Sequence, residues 1–197
     1  DVNMFPLSAP VTGGSTIDSV TLTGLNHTWV GDVHAVLFDP NGTGYNLCAR
    51  LSSNMLCANS GDSSDFAGDY TFVAAGSGGG DIFAEAILQL GTAALTPGSY
   101  EQYYGQWIDG SAGVFNTDLA SIPVIPGTWT LALYDGANGD TGDLGSWSMN
   151  VSSPSTDVCD GEINSTGAAA SFSVSGSTSI AANDLTMNVG NLPTGSF

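Results

Sequence analysis

Residues 146–152 read Ser-Trp-Ser-Met-Asn-Val-Ser, and that alternation decides the fold class. Successive side chains of a strand point to opposite faces, so Trp147, Met149 and Val151 turn toward a core while Ser146, Ser148, Asn150 and Ser152 turn toward water. Working back along the chain, residues 127–134 repeat the pattern with Trp129, Leu131 and Leu133 as the inward set. The run VHAVLF (33–38) is apolar on both faces, which predicts a central strand covered on each side. Short alternating runs bounded by Gly, Pro, Asn, Asp and Ser recur throughout, so the chain is read as all-β; these patterns alone permit any sandwich or small barrel. The one stretch rich in helix formers is IFAEAILQL (82–90), too short and too poorly capped to choose between helix and strand.

The chain has 197 residues, enough for one full domain plus a fragment without external staples. Charge is its unusual property: 19 acidic residues face a single basic one, Arg50, for a formal net charge of −18. Phosphate backbones and anionic membranes are bound by clustered Lys and Arg, so nucleic acid and membrane insertion are excluded as partners. Cations are the expected counterpart, and carboxylates screened by salt or by divalent ions suit an extracellular setting. The chain begins at Asp1 with no charged leader or long apolar run, consistent with a mature secreted piece.

Cys48 and Cys57 bracket a short loop, NLCARLSSNMLC, and are expected to form a disulfide in an oxidising compartment. Cys159 is left over: its partner lies in another chain or in sequence beyond this one, or it is a buried free thiol. Residues 1–152 are assigned to the sandwich and 153–163, opening on the linker-like SSPSTD (152–157), to a linker. In 164–197, Phe172 and Val174 alternate with serines, and Leu185, Met187 and Val189 with polar residues, giving two further strands. Two strands cannot bury a core alone, so this tail is either a partial C-terminal β module or a hairpin added to the first unit.

Two segments carry a family resemblance: HTWVGDVHAVLFDPNGT (27–43) and GTWTLALYDGANGDTGDLGSW (127–147). His27, Thr28, Trp29, Gly31, Asp32, Pro40, Gly42 and Thr43 open the pattern; Gly127, Trp129, Asp135, Gly139, Asp140, Gly142 and Trp147 close it. In that order they resemble the P domain, or Homo B, of kexin-like, subtilisin-type proprotein convertases, in a bacterial secreted form, over roughly residues 15–152. The resemblance implies a jelly-roll-like β-sandwich and a non-catalytic companion that packs on a catalytic domain and stabilises it. The tail is similar to the opening of a C-terminal β module of secreted bacterial proteins. Residues 59–125 are longer than the family spacing and are expected to hold loops particular to this chain, AAGSGGGD (74–81) among them.

The loop DGANGDTGD sets Asp135, Asn138, Asp140 and Asp143 among glycines, supplying hard oxygen ligands on a sharply turning chain, as calcium requires. It is not an EF-hand, since Ala137, Gly139 and Ser146 occupy the deciding positions. Asp32 and Asp39 would join the site if the two segments are neighbours, as the resemblance implies. The plainer alternative is a solvated turn that uses Asp and Gly for backbone reasons. His27 and His34 are the only histidines, and no G-x-S-x-G or G-T-S motif occurs, so a protease site is not expected. His27 is read as a hydrogen-bonded structural residue and His34 as partly buried, with no Cys or His cluster to suggest zinc. Tyr100, Tyr103, Tyr104 and Trp107 would form a stacking platform for polysaccharide or extended polypeptide if exposed together, and otherwise fill core and edges. N-x-S/T triplets at Asn26, Asn41, Asn150 and Asn164 matter only in a glycosylating host.

The expected function is a non-catalytic, calcium-stabilised extracellular accessory domain. Its partner would be a secreted subtilisin-like protease or other catalytic domain of the same precursor. The alternative is a structural or adhesive surface or filament subunit that binds polysaccharide, protein or a second copy of itself through strand pairing.

Overall fold

The computed structural model describes residues 2–14, 16–51, 61–89, 91–105, 114–152, 156–163, 167, 169–175 and 186–190. The predicted central strand, β3 (Val33–Phe38), lies in the middle of a five-stranded sheet. Its antiparallel neighbours are β4 (Gly44–Cys48) and β8 (Thr130–Asp135). β1 (Val2–Pro6) pairs β8 at one edge, and β7 (Val114–Phe115) runs parallel to β4 at the other. The second sheet is built on the long β2 (Thr16–His27), flanked by β10 (Ser146–Ser152) and β5 (Phe66–Val73). β6 (Gly98–Glu101) extends this sheet in parallel to β5, and the two-residue β9 (Gly142–Asp143) pairs the end of β2.

One apolar core joins the two sheets, which makes the fold an all-β sandwich. β2 sends in Ile17, Val20 and Leu22; β3 sends Val33, Ala35 and Leu37; β5 sends Phe66, Tyr70 and Phe72. Trp129 and Leu131 are fully buried among them, and Trp147 and Met149 of β10 close one side, as their alternation predicts. Val151 lies past a bulge at Asn150/Val151 and packs over Gly14. The reading of β3 as covered on both faces also holds, because Val36 is completely buried on the opposite face beside Val114 and Ala132.

The ambiguous segment 82–90 contains a helix, α1 (Ile82–Gln89). Its cap is Asp81, whose carboxylate accepts from the Phe83 and Ala84 amides at 2.9 and 3.2 Å and satisfies donors a helix start leaves open. Glu85 then ties the helix to the following loop by accepting from the Thr96 hydroxyl and amide at 2.6 and 3.0 Å.

The tail forms a separate three-stranded sheet of β11 (Thr156–Ile163), β12 (Ala169–Ser175) and β13 (Thr186–Gly190). The last two are the strands expected from the alternation at Phe172, Val174, Met187 and Val189. β11 occupies residues expected to be linker; its sequence, TDVCDGEI, lacks the regular apolar alternation by which a strand is recognised, and its register with β12 shifts twice.

Candidate functional site: an acidic cleft at one end of the sandwich

The two landmark segments, far apart in sequence, meet at one end of the sandwich. β3 and β8 run antiparallel with Val33 opposite Asp135, so the start of one strand sits beside the exit of the other. From Asp135 the chain crosses to the second sheet, where Gly142 pairs His27 and Asp143 pairs Asn26. Thr28 holds this crossing: its amide donates to the Thr141 carbonyl at 3.2 Å and its hydroxyl to Asp140 Oδ1 at 3.0 Å. Between the sheet ends lies a cleft of about 230 Å³, with apolar walls from Phe5, Leu25, Val33 and Leu133. Asp135, Asp140 and Asp143 ring it, and His27 lines it.

His27 is buried, and its Nδ1 lies 3.1 Å from the Trp29 amide, which donates to it. The Trp29 carbonyl, 3.0 Å from the same nitrogen, accepts when Nδ1 carries the proton. The structural role expected of His27 is therefore met through the backbone of its own H-T-W motif. Its Nε2 is buried without a hydrogen-bond partner and faces Asp135 Oδ2 at 3.9 Å, beyond hydrogen-bond reach.

Below the cleft, the turn at 30–32 is held by the only cation of the chain. Arg50 Nη2 donates to Asp32 Oδ1 at 2.9 Å and Arg50 Nε to the Gly31 carbonyl at 2.6 Å. The Asp32 carbonyl in turn accepts from the Gly136 amide at 2.9 Å, joining the turn to the acidic loop. Glycines allow two close approaches here, of the 61–62 backbone to the turn and of Arg50 to the acidic loop. A Cβ on Gly31 would lie 2.5 Å from the Asp62 nitrogen and the Gly61 Cα, and one on Gly136 would press 3.1 Å from the Arg50 guanidinium carbon. The role of Arg50 was missed in the sequence, although a lone cation among 19 carboxylates signals that whichever acid it meets inside the fold is special.

The six expected calcium ligands do not converge. Asp32, buried, is committed to Arg50. Asp39 lies at the far end of β3, six residues and roughly 20 Å along the strand from the cleft. There its Oδ1 accepts from the Asn41 and Thr43 amides at 2.8 and 2.9 Å, the backbone use of aspartate in a tight turn. Asp135, Asp140 and Asp143 do share the cleft, while Asn138 is exposed on the loop between them. Among the described residues no three acidic, histidine or cysteine side chains are grouped closely enough to hold an ion as they stand.

Three residues of the expected aromatic platform are described. Tyr100 is buried with its ring stacked 6.4 Å from Tyr70, and Tyr103 is half-buried, stacked on Phe83 at 5.6 Å and 3°. Tyr104 is half-buried, its hydroxyl pushed up to about 12 by burial and by Asp118; Trp107 lies outside the described residues. Tyr100 and Tyr103 thus pack on Tyr70 of β5 and Phe83 of α1.

Cys48 is a free, buried thiol among the described residues, and its expected partner Cys57 lies outside them. Cys48 ends β4 pointing into the core, where it behaves as a small apolar side chain; burial alone pushes its thiol up to about 12. Cys159 falls in β11, and nothing is described of its side chain.

The second histidine is structural as well. His34 is buried on the outer face of its sheet, hydrogen-bonded through Nε2 to Asn46 Oδ1 and tilted against Tyr134. Burial pushes its pKa down, an effect that the Asn46 bond opposes. Among the described residues no helix is long and apolar enough to cross a membrane. No protein-family model, no curated protein and no solved structure matches this chain.

Proposed function

We propose that this chain is a non-catalytic, extracellular accessory module that accompanies a separate catalytic unit, such as a secreted subtilisin-like protease of the same precursor. The observation that carries the reading is the meeting of the two P-domain-like segments. The strands these segments run into or contain, β3 and β8, are neighbours, and at their shared end Thr28 is bonded to Asp140 and Thr141, and Asp32 to Gly136. Motifs that resemble one module in sequence also build one shared substructure. The histidines fit a supporting role, since His27 is bonded to the Trp29 backbone and His34 to Asn46.

A denaturing immunoblot of the native secreted polypeptide, run beside a protease-activity gel, tests the reading. A band much larger than 19.9 kDa that coincides with proteolysis is the expected result. A band near 19.9 kDa with no associated activity overturns it.

A second reading has its own support. Met187 and Val189 on the edge strand β13 are 63% and 55% exposed, and an open strand edge with apolar side chains is a template for pairing with another chain. In that reading the module is a self-assembling structural subunit, and the small band would accompany multimers in native sedimentation.

A further inference from the structure

We propose that Asn138 is a site of spontaneous covalent modification, where the side-chain amide cyclises onto the backbone nitrogen of Gly139 and is converted to aspartate and isoaspartate. The sequence holds two Asn-Gly pairs, Asn41-Gly42 and Asn138-Gly139, and this chemistry favours such pairs because glycine has no side chain to hinder the attacking nitrogen. The structure separates them. At the first pair the Gly42 amide donates to the Asp39 carbonyl at 2.9 Å, and Asp39 Oδ1 accepts from the Asn41 and Thr43 amides on either side at 2.8 and 2.9 Å. The nitrogen that must attack is held in a hydrogen-bonded turn, and its neighbours are clamped with it. At the second pair Asn138 is exposed, and among the described residues no hydrogen bond holds its side chain or the Gly139 amide. Gly139 has a φ of 118°, and a Cβ built on it would meet nothing within 4 Å, so the reacting atoms have room to approach each other.

The step needs only water. The Gly139 nitrogen loses its proton to solvent base and bonds to Asn138 Cγ; the Cγ–Nδ2 bond breaks, and the amide nitrogen takes a proton from solvent and leaves as ammonia, closing a succinimide ring. Water then opens either ring carbonyl, giving aspartate or, with one more methylene in the main chain, isoaspartate. Because the nitrogen must first lose its proton, the reaction speeds up as pH rises. The loop that carries Asn138 is anchored at both ends, by the Gly136 amide on the Asp32 carbonyl at 2.9 Å and by the Thr141 amide on the Thr28 hydroxyl at 3.3 Å. Modification therefore adds a carboxylate between Asp135 and Asp140 and alters the chain between the anchors, leaving the strands that hold them in place. The proposal stands whether or not a catalytic unit accompanies the chain.

Incubation of the full chain at neutral pH and body temperature, followed by pepsin digestion in acid and mass spectrometry of the peptides, tests this directly. The expected result is conversion at Asn138 about tenfold faster than at Asn41, a barrier difference of about 1.4 kcal/mol, which is the scale of the hydrogen bonding that holds Gly42. In urea sufficient to unfold the chain the two rates should converge, since the difference belongs to the fold and not to the dipeptide. Asp39→Ala removes the carboxylate that clamps the first turn, and should raise the rate at Asn41 while leaving Asn138 unchanged. The urea comparison uses the parent chain, so the test stands if that variant fails to fold. Isoaspartate in the Asn138 peptide, read by its methylation with an isoaspartate methyltransferase, marks the ring intermediate, because direct hydrolysis of the amide gives aspartate alone. Equal rates in the folded chain, faster conversion at Asn41, a difference that persists in urea, or aspartate without isoaspartate would each overturn the proposal.

Discussion

The two ends of β3 carry the same kind of sequence, Asp beside Gly-rich turns, and use it in opposite ways. At one end Asp39 turns its carboxylate onto the backbone of its own loop, accepting from Asn41 and Thr43, and the turn is complete in itself. At the other end Asp32 depends on Arg50, which arrives from beyond β4, and the neighbouring Asp135, Asp140 and Asp143 open onto a cleft. An acidic turn that satisfies its own amides has little left to bind with. One held together by a distant cation sets further carboxylates around a cleft, and this asymmetry places the candidate site.

The largest predicted break in this comparison comes from Arg50→Ala. It leaves Asp32, whose side chain is only 3% exposed, without its counter-charge and should cost about 3 kcal/mol or more in urea unfolding. Asp39→Ala removes two backbone bonds at the self-contained end and should cost about 1–2 kcal/mol by the same measurement. A larger loss at Asp39 than at Arg50 would invert the comparison.

A smaller, pH-gated effect belongs to His34. Its folded pKa is lowered by burial, so below about pH 6.5 the unfolded chain binds more protons than the folded one. Stability should therefore fall as pH drops through that value, and His34→Gln should flatten that part of the stability curve. The smallest effect should be Asp143→Asn on the exposed cleft rim, within about 0.5 kcal/mol of the parent, because that carboxylate serves the opening rather than the fold.

Much of the sandwich could be read directly from the chain. The 146–152 and 33–38 strands have the expected limits, and Trp129, Leu131, Trp147 and Met149 face the core their periodicity assigns them. Period-two alternation works there because each strand is covered by an opposite sheet. It failed at 156–163, where the residues do not alternate, and at 82–90, where the deciding signal was one Asp81 just upstream. The meeting of the two landmark segments was also legible, but only through their resemblance to a module in which they are neighbours. What each carboxylate does there was not. Asp32 and Asp39 look equivalent in sequence, and the register that puts them at opposite ends of one strand, with Arg50 beside only the first, is a property of tertiary pairing.

The account rests on Asp32 belonging to Arg50 rather than to a bound ion, and a double-mutant cycle measures that pairing. Asp32→Asn, Arg50→Met and the double variant should be unfolded in urea with a chelator present. A coupling above about 1.5 kcal/mol between the two sites is the predicted result. Losses that add to within about 0.3 kcal/mol, or a stability that depends on calcium and on Asp32 but not on Arg50, would contradict it.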